Sequence, residues 1–422
     1  MKDNAYFDNA ATTWPKPEPV YRFMDSFFRS HGVNPGRSGS LLAVEAEQMI
    51  TATRRMLAEF FGFGGSADRV IFTLNGTDAL NLSIGGLVST GDHLVTTRLE
   101  HNAVLRTANH LERDAGLSVT RVAAQADGYI DPDDIRTALR PETRAIVLNH
   151  ASNVMGTVQP LAEVAGIARE AGVPLIVDAA QTAGVLPLDM DELGISVLTF
   201  PGHKGLFGPM GVGGMIVAES VELTPQRFGG TGVDSLSHYQ PDAYPYRLEA
   251  GTVSLPGIAG LHAAQRWFRE LGRQRLELDV EALASAQSVP ISDSGHVDAA
   301  ADHGALCRLA MQHVHQVEMA HLQRIEAKLR EYGSVNILAN ARADARVATI
   351  SFTVDGLSTE RIADQLDADH QICARAGLQC APLVHVDAGT VDAGGTIRLS
   401  PGYFTDEEDM QQLLTALDDI LA

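Results

Sequence analysis

The chain has 422 residues, 45% of them hydrophobic and 20% charged, a composition that fits a soluble globular protein of two domains. Its 53 acidic against 32 basic residues leave a net charge of −21, which repels nucleic-acid phosphates and anionic membrane surfaces and argues against both as partners. Three scattered cysteines, Cys307, Cys373 and Cys380, argue against a disulfide scaffold or a zinc knuckle, and a reducing cytoplasm is the expected home.

The opening stretch, MKDNAYFDNAATTWPKPEPVY, holds no apolar segment of the signal-peptide kind, and no apolar run reaches the roughly 20 residues that span a bilayer. From residue 69 the pattern alternates. Apolar, β-rich runs at RVIFTL (69–74), HLVTT (93–97), SVTRVAA (118–124), RAIVLNH (144–150), PLIVDAA (174–180), VLTF (197–200) and GGMIVA (213–218) predict seven strands. Helical patterns at TDALNLSIGGL (77–87), VLRTANHLERDAG (104–116) and PLAEVAGIAREAG (160–172) lie between them, with Gly116 and Gly172 as terminators. This is the pattern of βαβ units in a mainly parallel sheet.

After Pro256 helices dominate to residue 333. ARVATISFTV (345–354) and TIRLSPGYF (396–404) then read as strands, STERIADQLDA as a helix, and Thr405 with Glu408 as a capping box opening the last helix. EALASAQSVPISDSGHVDAAADHGA (281–305) reads as an exposed insertion.

Polar residues gather where the strands end. In LNGTDALNL Asn75-Gly76 makes a turn and a helix begins near Thr77, with free N–H groups, Gly76 and the Thr77 hydroxyl suited to a phosphate; a plain turn capped by Thr77 explains the same residues. Asp178 ends an apolar strand, with Gln181 three residues on; it reads equally as a ligand-facing carboxylate or a helix cap. RLEHNAV places Glu100 and His101 past another strand, and LNHASNVMG places His150, Ser152 and Asn153 past a fourth. In TFPGHKGLFGPMG, His203 and Lys204 follow a strand within a run of glycines. A phosphate-binding turn, a buried aspartate, a ring-stacking histidine and a lysine amine together fit pyridoxal 5′-phosphate. A metal site from His101, His150, Asp178 and His203 lacks supporting spacing, and no GxxxxGK[ST] phosphate loop occurs.

These stretches, in order, resemble the class V aminotransferase-like branch of fold-type I pyridoxal-phosphate enzymes, and within it the cysteine desulfurase and selenocysteine lyase group. The likeness runs through YFDNAATT, NPGRSGS, NGTDALNL, LEHNAV, SNVMGTVQPL, VDAAQTAG, GHKGLFGPMGVGG, FGGTGVDS, RLEAGTVSLPGIAGL, RAGLQCAPL and TIRLSPGYF. It implies an α/β fold with a large domain (25–262) around a mainly parallel seven-stranded sheet. A smaller α+β domain (263–422, with an insertion at about 274–310) and an N-terminal segment (1–24) associating with it complete the expectation.

The resemblance also implies roles. Lys204 is expected to join the cofactor aldehyde, Asp178 to face the ring nitrogen, Gln181 the ring oxygen, and His101 to stack on the ring. Gly76, Thr77, Asp78 and His203 belong with the phosphate, Asn153 with ring and substrate, and Arg398 and Arg375 with the substrate carboxylate. Thr252 is expected to reach the phosphate from the second subunit of a homodimer. Cys380 takes the place of the nucleophile that accepts sulfur from L-cysteine, leaving alanine and a persulfide for an acceptor protein; selenocysteine is a further possible substrate. Cys373 is expected to be structural, and Cys307 has no matching role.

Two residues depart from the pattern: Pro201 removes a phosphate-binding hydroxyl, and Gln379 replaces a histidine before the nucleophile. The rival expectations are another class V reaction (aminotransferase, epimerase or C–S lyase) and a non-catalytic binding protein of the same fold.

Overall fold

The computed structural model describes residues 4–35, 39–287, 302–339, 342 and 345–422. The chain enters on a short strand, β1 (Ala5–Tyr6), then forms helices α1 (Glu18–His31) and α2 (Leu41–Phe60). The alternation then begins: β2 (Val70–Thr73), α3 (Gly76–Leu87), β3 (His93–Thr97), α4 (Asn102–Ala115), β4 (Ser118–Val122), α5 (Pro132–Ala138), β5 (Thr143–Asn149), α6 (Leu161–Ala171), β6 (Leu175–Asp178), α7 (Met190–Leu193), β7 (Val197–Pro201) and β8 (Gly213–Val217).

Strands β2 to β8 form one seven-stranded sheet in the order β2-β8-β7-β6-β5-β3-β4. Pairing is parallel from β7 to β4, and β8 runs antiparallel to β7 and β2. The inner strands are buried on both faces because both are covered, while β4 at the sheet edge is only half-buried. On one face Ile71, Leu94, Ile176 and Val197 pack with Leu80 and Ile84 of α3; on the other Val95, Ile146, Val177 and Leu198 pack with Val164 and Ile167 of α6. Gly116 and Gly172 end α4 and α6 in the left-handed conformation that glycine adopts at least cost. The crossover from β3 goes to β4 on one side, while β5 lies on the other. That reversal opens a crevice beyond the strands' carboxyl ends.

The C-terminal part continues with α8 (Leu255–Gln287), α9 (His303–Leu329), β9 (Val335–Ile337), β10 (Ile350–Val354), α10 (Thr359–Ala368), β11 (Ile372–Cys373), β12 (Arg375–Gly377), α11 (Pro382–Asp387), β13 (Thr396–Leu399) and α12 (Glu407–Leu421). An antiparallel sheet runs β12-β13-β10-β9, and β1 pairs in parallel with β11, so the two ends of the chain meet. The boundary expected between residues 262 and 263 falls inside α8. Of the expected insertion, residues 288–301 lie outside the described residues; residues 274–287 belong to α8 and residues 303–310 to α9. Among the described residues no helix is long and apolar enough to cross a membrane.

Three sequence expectations are corrected. The strand predicted over 345–354 begins only at Ile350, because Ala345 and Val347 bond instead to the backbone of Val158 and Gly156. The strand predicted over 396–404 stops at Leu399, since Ser400 turns to the backbone of Phe7 and Pro401 has no N–H to donate. The last capping box is one residue further on. Asp406 and Asp409 each accept the other's backbone N–H, at 2.9 and 3.0 Å, while the Thr405 hydroxyl takes the N–H of Gly402.

Candidate active site

A cavity of about 220 Å³ opens at the carboxyl ends of the large sheet. Gly76, Thr77, His101, Asn153, Asp178, Gln181, His203, Lys204, Arg375, Cys380 and Arg398, eleven of the expected site residues, line it. The exceptions are Asp78 and Thr252. The Asp78 carboxylate turns back to the Leu74 N–H (2.8 Å) and to Arg227 (3.2 Å). Thr252 lines a separate cavity with Arg54, Thr231 and Glu249.

Each wall follows from local chain chemistry. Asn75 caps α3 by accepting the Asp78 N–H at 2.9 Å, which places Gly76 and Thr77 at the positive end of the helix. His101 caps α4, its Nδ1 accepting the Ala103 N–H at 3.0 Å, so capping and cavity-facing readings hold together. That bond leaves the proton of the neutral ring on Nε2. Asp178 accepts the Ala180 N–H at 2.9 Å, again combining a turn-capping contact with a place in the cavity.

The glycines beside Lys204 serve close packing. A Cβ on Gly184 would stand 2.1 Å from the carbonyl oxygen of Gly205, and one on Gly205 would meet that of Ala183 at 2.6 Å. The turns after β6 and β7 therefore interlock through bare backbone. The N-terminal segment adds a clamp: the His203 carbonyl accepts from the Thr13 N–H, the Thr12 hydroxyl and the Lys16 ammonium. Gln181 is tied to this segment too, its Nε2 donating to the Ala10 carbonyl at 3.0 Å.

The charges suit an anionic ligand. Burial pulls Lys204 down to about 8, with Asp178 opposing it. Burial raises Asp178, partly offset by the Ala180 N–H and by Lys204. His101 and His203 are both lowered to about 4, by burial and then by Lys204, and stay neutral. Among the described lining residues, Lys204, Arg375 and Arg398 face one carboxylate, Asp178, with Asp8 behind the two arginines, so the cavity stays net positive in a protein whose net charge is −21.

The remaining wall comes from the C-terminal part. Arg398 is buried; its Nη1 donates to the Asn153 carbonyl (2.9 Å) and its Nη2 to Asp8 (2.5 Å). Arg375 is more exposed and lies 3.7 Å from the other oxygen of Asp8. Cys380 is exposed, and its carbonyl accepts the Asn102 N–H at 2.7 Å. Cys373 lies on β11 paired with Tyr6, and Cys307 is buried beside His303.

Sequence reasoning gave Asp8, Lys16 and Asn149 no place in the site, and it read Asn75 as a turn residue with Thr77 as the cap where Asn75 itself caps α3. All four stood inside quoted stretches, yet nothing local marks a carboxylate as the partner of an arginine 390 positions away. Behind the cavity Glu100 is wholly buried. It accepts from the Thr97 hydroxyl and the Asn149 N–H, and desolvation raises it to about 8. His150 and Ser152 are structural: His150 bonds Thr182 at 2.8 Å, and the Ser152 hydroxyl accepts backbone N–H groups of Val154 and Met155.

Comparison with known proteins places this arrangement. A probable cysteine desulfurase of Methanothermobacter thermautotrophicus is 29% identical over 425 residues, covering 100% of this chain and 95% of its own length. A cysteine desulfurase IscS of Dictyoglomus turgidum is 27% identical, covering 100% and 95% respectively. Among solved structures, the apo cysteine desulfurase of Thermococcus onnurineus superposes with a TM-score of 0.84 at 26% identity, covering 100% of this chain and 95% of its own. The Escherichia coli cysteine desulfurase CsdA shares the fold with a TM-score of 0.80 at 23% identity, covering 100% and 96%. The model of the class-V aminotransferase family matches residues 5–305 and 288–413, and the chain belongs to that family.

Proposed function

We propose that the protein is a pyridoxal 5′-phosphate-dependent cysteine desulfurase that moves sulfur from L-cysteine onto Cys380. One observation carries the reading: the Cys380 thiol shares a cavity with Lys204, Asp178 and Arg398. The residues fit the cofactor. Lys204 offers a buried amine, Asp178 a buried carboxylate suited to a ring cation, and the start of α3 free N–H groups for a phosphate. His203 Nδ1 and Asn153 Oδ1 are buried with no protein partner among the described residues. When bound, the cofactor withdraws electrons from the substrate's α-carbon.

The chain's own residues do the rest. Lys204 Nζ, near 8, moves protons at the substrate carbons close to neutral pH. Arg398 holds the substrate carboxylate, and its Nε is buried without a partner among the described residues. His101, neutral, bounds the ring's space and adds no charge. The Cys380 thiolate attacks the cysteine sulfur; the S–S bond forms, the C–S bond breaks, and its electron pair stays with the carbon skeleton. That carbon takes up the proton lost from the substrate thiol. The products are alanine and a persulfide, with no added oxidant.

We further propose a homodimer in which Thr252 serves the partner's phosphate site. Thr252 lies apart from its own chain's cavity, and the nearby loop exposes Phe228, Leu236 and Tyr239. A cytoplasmic setting keeps Cys380 reduced for an acceptor protein.

The test is incubation of loaded protein with L-cysteine, quantifying alanine and weighing the intact chain. Wild type should gain one sulfur atom at Cys380, while Cys380→Ser keeps cofactor absorbance but makes neither alanine nor persulfide. Alanine formed by Cys380→Ser at the wild-type rate refutes the assignment. A keto acid, ammonia or racemised cysteine identifies another class V reaction instead.

A further inference from the structure

We infer that Gln379 is a positioning residue that fixes Cys380 at the cavity wall; the inference rests on the desulfurase reading above. Gln379 and Cys380 have φ of 41° and 58°, consecutive non-glycine residues in the left-handed region. Side chains disfavour that region, so such a turn persists only where its surroundings enforce it. The enforcing contacts come chiefly through Gln379. Its Nε2 donates to the Thr396 carbonyl at 2.9 Å. Its Oε1 accepts from His385 Nε2 at 2.9 Å and from the Thr396 hydroxyl at 3.3 Å. Its own carbonyl accepts from Asn153 Nδ2 at 2.6 Å.

The amide oxygen can only accept, so His385 carries its proton on Nε2. His385 Nδ1 then takes the Thr390 hydroxyl at 2.8 Å. Both His385 and Gln379 are buried. This network reaches from β13 through α11 to the residue directly before the nucleophile. The Gln379 side chain, occupied in this way, neither takes nor gives a proton in the reaction. Its action is on where the thiol stands.

Gln379→Met keeps the length and loses the bonds. Two readouts test it. In cofactor-free protein, the alkylation rate of Cys380 by iodoacetamide, followed by intact mass, should rise several-fold as the turn loosens. In loaded protein, the absorbance change on adding L-cysteine should stay within about twofold of wild type, while the persulfide mass gain slows by about tenfold or more, the cost of a misplaced reacting atom. His385→Phe, which lies outside the cavity lining, should move both readouts in the same direction by less, and it stands in if Gln379→Met does not fold. Wild-type alkylation and persulfide rates in these variants overturn the inference. So does an equal slowing of the absorbance change and the persulfide step, which marks general damage. Absence of persulfide in wild type would instead sink the desulfurase reading.

Discussion

Lys204 and Cys380 face one cavity from turns of opposite build. The lysine turn is rich in glycine, interlocked with Gly184 through bare backbone, and held by three donors on the His203 carbonyl. The cysteine turn puts two consecutive side chains in the left-handed region, where the lysine turn has Phe207 (φ 55°), and leaves its thiol exposed. The difference comes from what each residue has to meet. An amine that works by being near-neutral has to stay dry, because burial is what lowers it. A thiol that passes sulfur onward has to be reachable from outside, so it is held by side-chain bonds behind it and not by burial.

The contrast breaks most sharply at the lysine. Lys204→Ala should reduce alanine production by about a thousandfold or more, as expected when a positioned amine that both anchors and transfers protons is lost. Borohydride treatment should then fix no cofactor mass to the chain. Alkylation of Cys380 in the cofactor-free variant should stay within about twofold of wild type, because among the described residues no hydrogen bond joins the two turns directly. A large change in alkylation would show that the walls are not independent.

Arg398 is where the walls meet. It donates to Asn153, which holds the Gln379 carbonyl, and to Asp8 of the N-terminal segment. Lysine cannot reproduce a planar fork that serves two protein acceptors and a substrate carboxylate at once. Arg398→Lys should lose about 1.5–3 kcal/mol, the value of a charge-assisted hydrogen bond, or about 10–150-fold in kcat/KM for L-cysteine. Steady-state alanine release measures it. A loss confined to KM assigns Arg398 to substrate binding; an equal fall in kcat extends its role to the cysteine turn.

The two walls also differ in how legible they were. The seven strands showed as apolar runs, and the rule that ligands gather beyond parallel strand ends collected His101, Asn153, Asp178 and Lys204 from the sequence alone. The C-terminal wall depends on register between distant segments. β1 meets β11 across more than 360 residues, and the bridge of Asp8 to Ser400 just beyond β13 then brings Asp8 to Arg398. Gln379 stood out only as the replacement of a histidine, because its partners, Thr396 and His385, reach it through the β12–β13 pairing and α11, which no local pattern declares. The capping box slipped by one residue for a local reason: Thr405 and Asp406 can both cap, Thr405-x-x-Glu408 fits the box pattern, and Asp406, the stronger cap, wins.

The smallest effect sharpens the electrostatic side of the comparison. Only the unprotonated amine attacks an aldehyde, so capture of pyridoxal phosphate by cofactor-free protein should rise with pH through the Lys204 pKa and level off above it. With Lys204 near 8, the rise should centre there, well below the ordinary lysine value of 10.5. Asp178 is the leading influence opposing that depression, because its negative charge favours the ammonium form. Asp178→Asn removes the charge at nearly constant shape, so the ammonium loses support and the midpoint should move to still lower pH. Stopped-flow absorbance between pH 6.5 and 9.5, an interval bracketing the expected midpoint by about 1.5 units on either side, measures both. A midpoint left unchanged in Asp178→Asn would mean that the carboxylate is already protonated in the wild type and has no charge to remove.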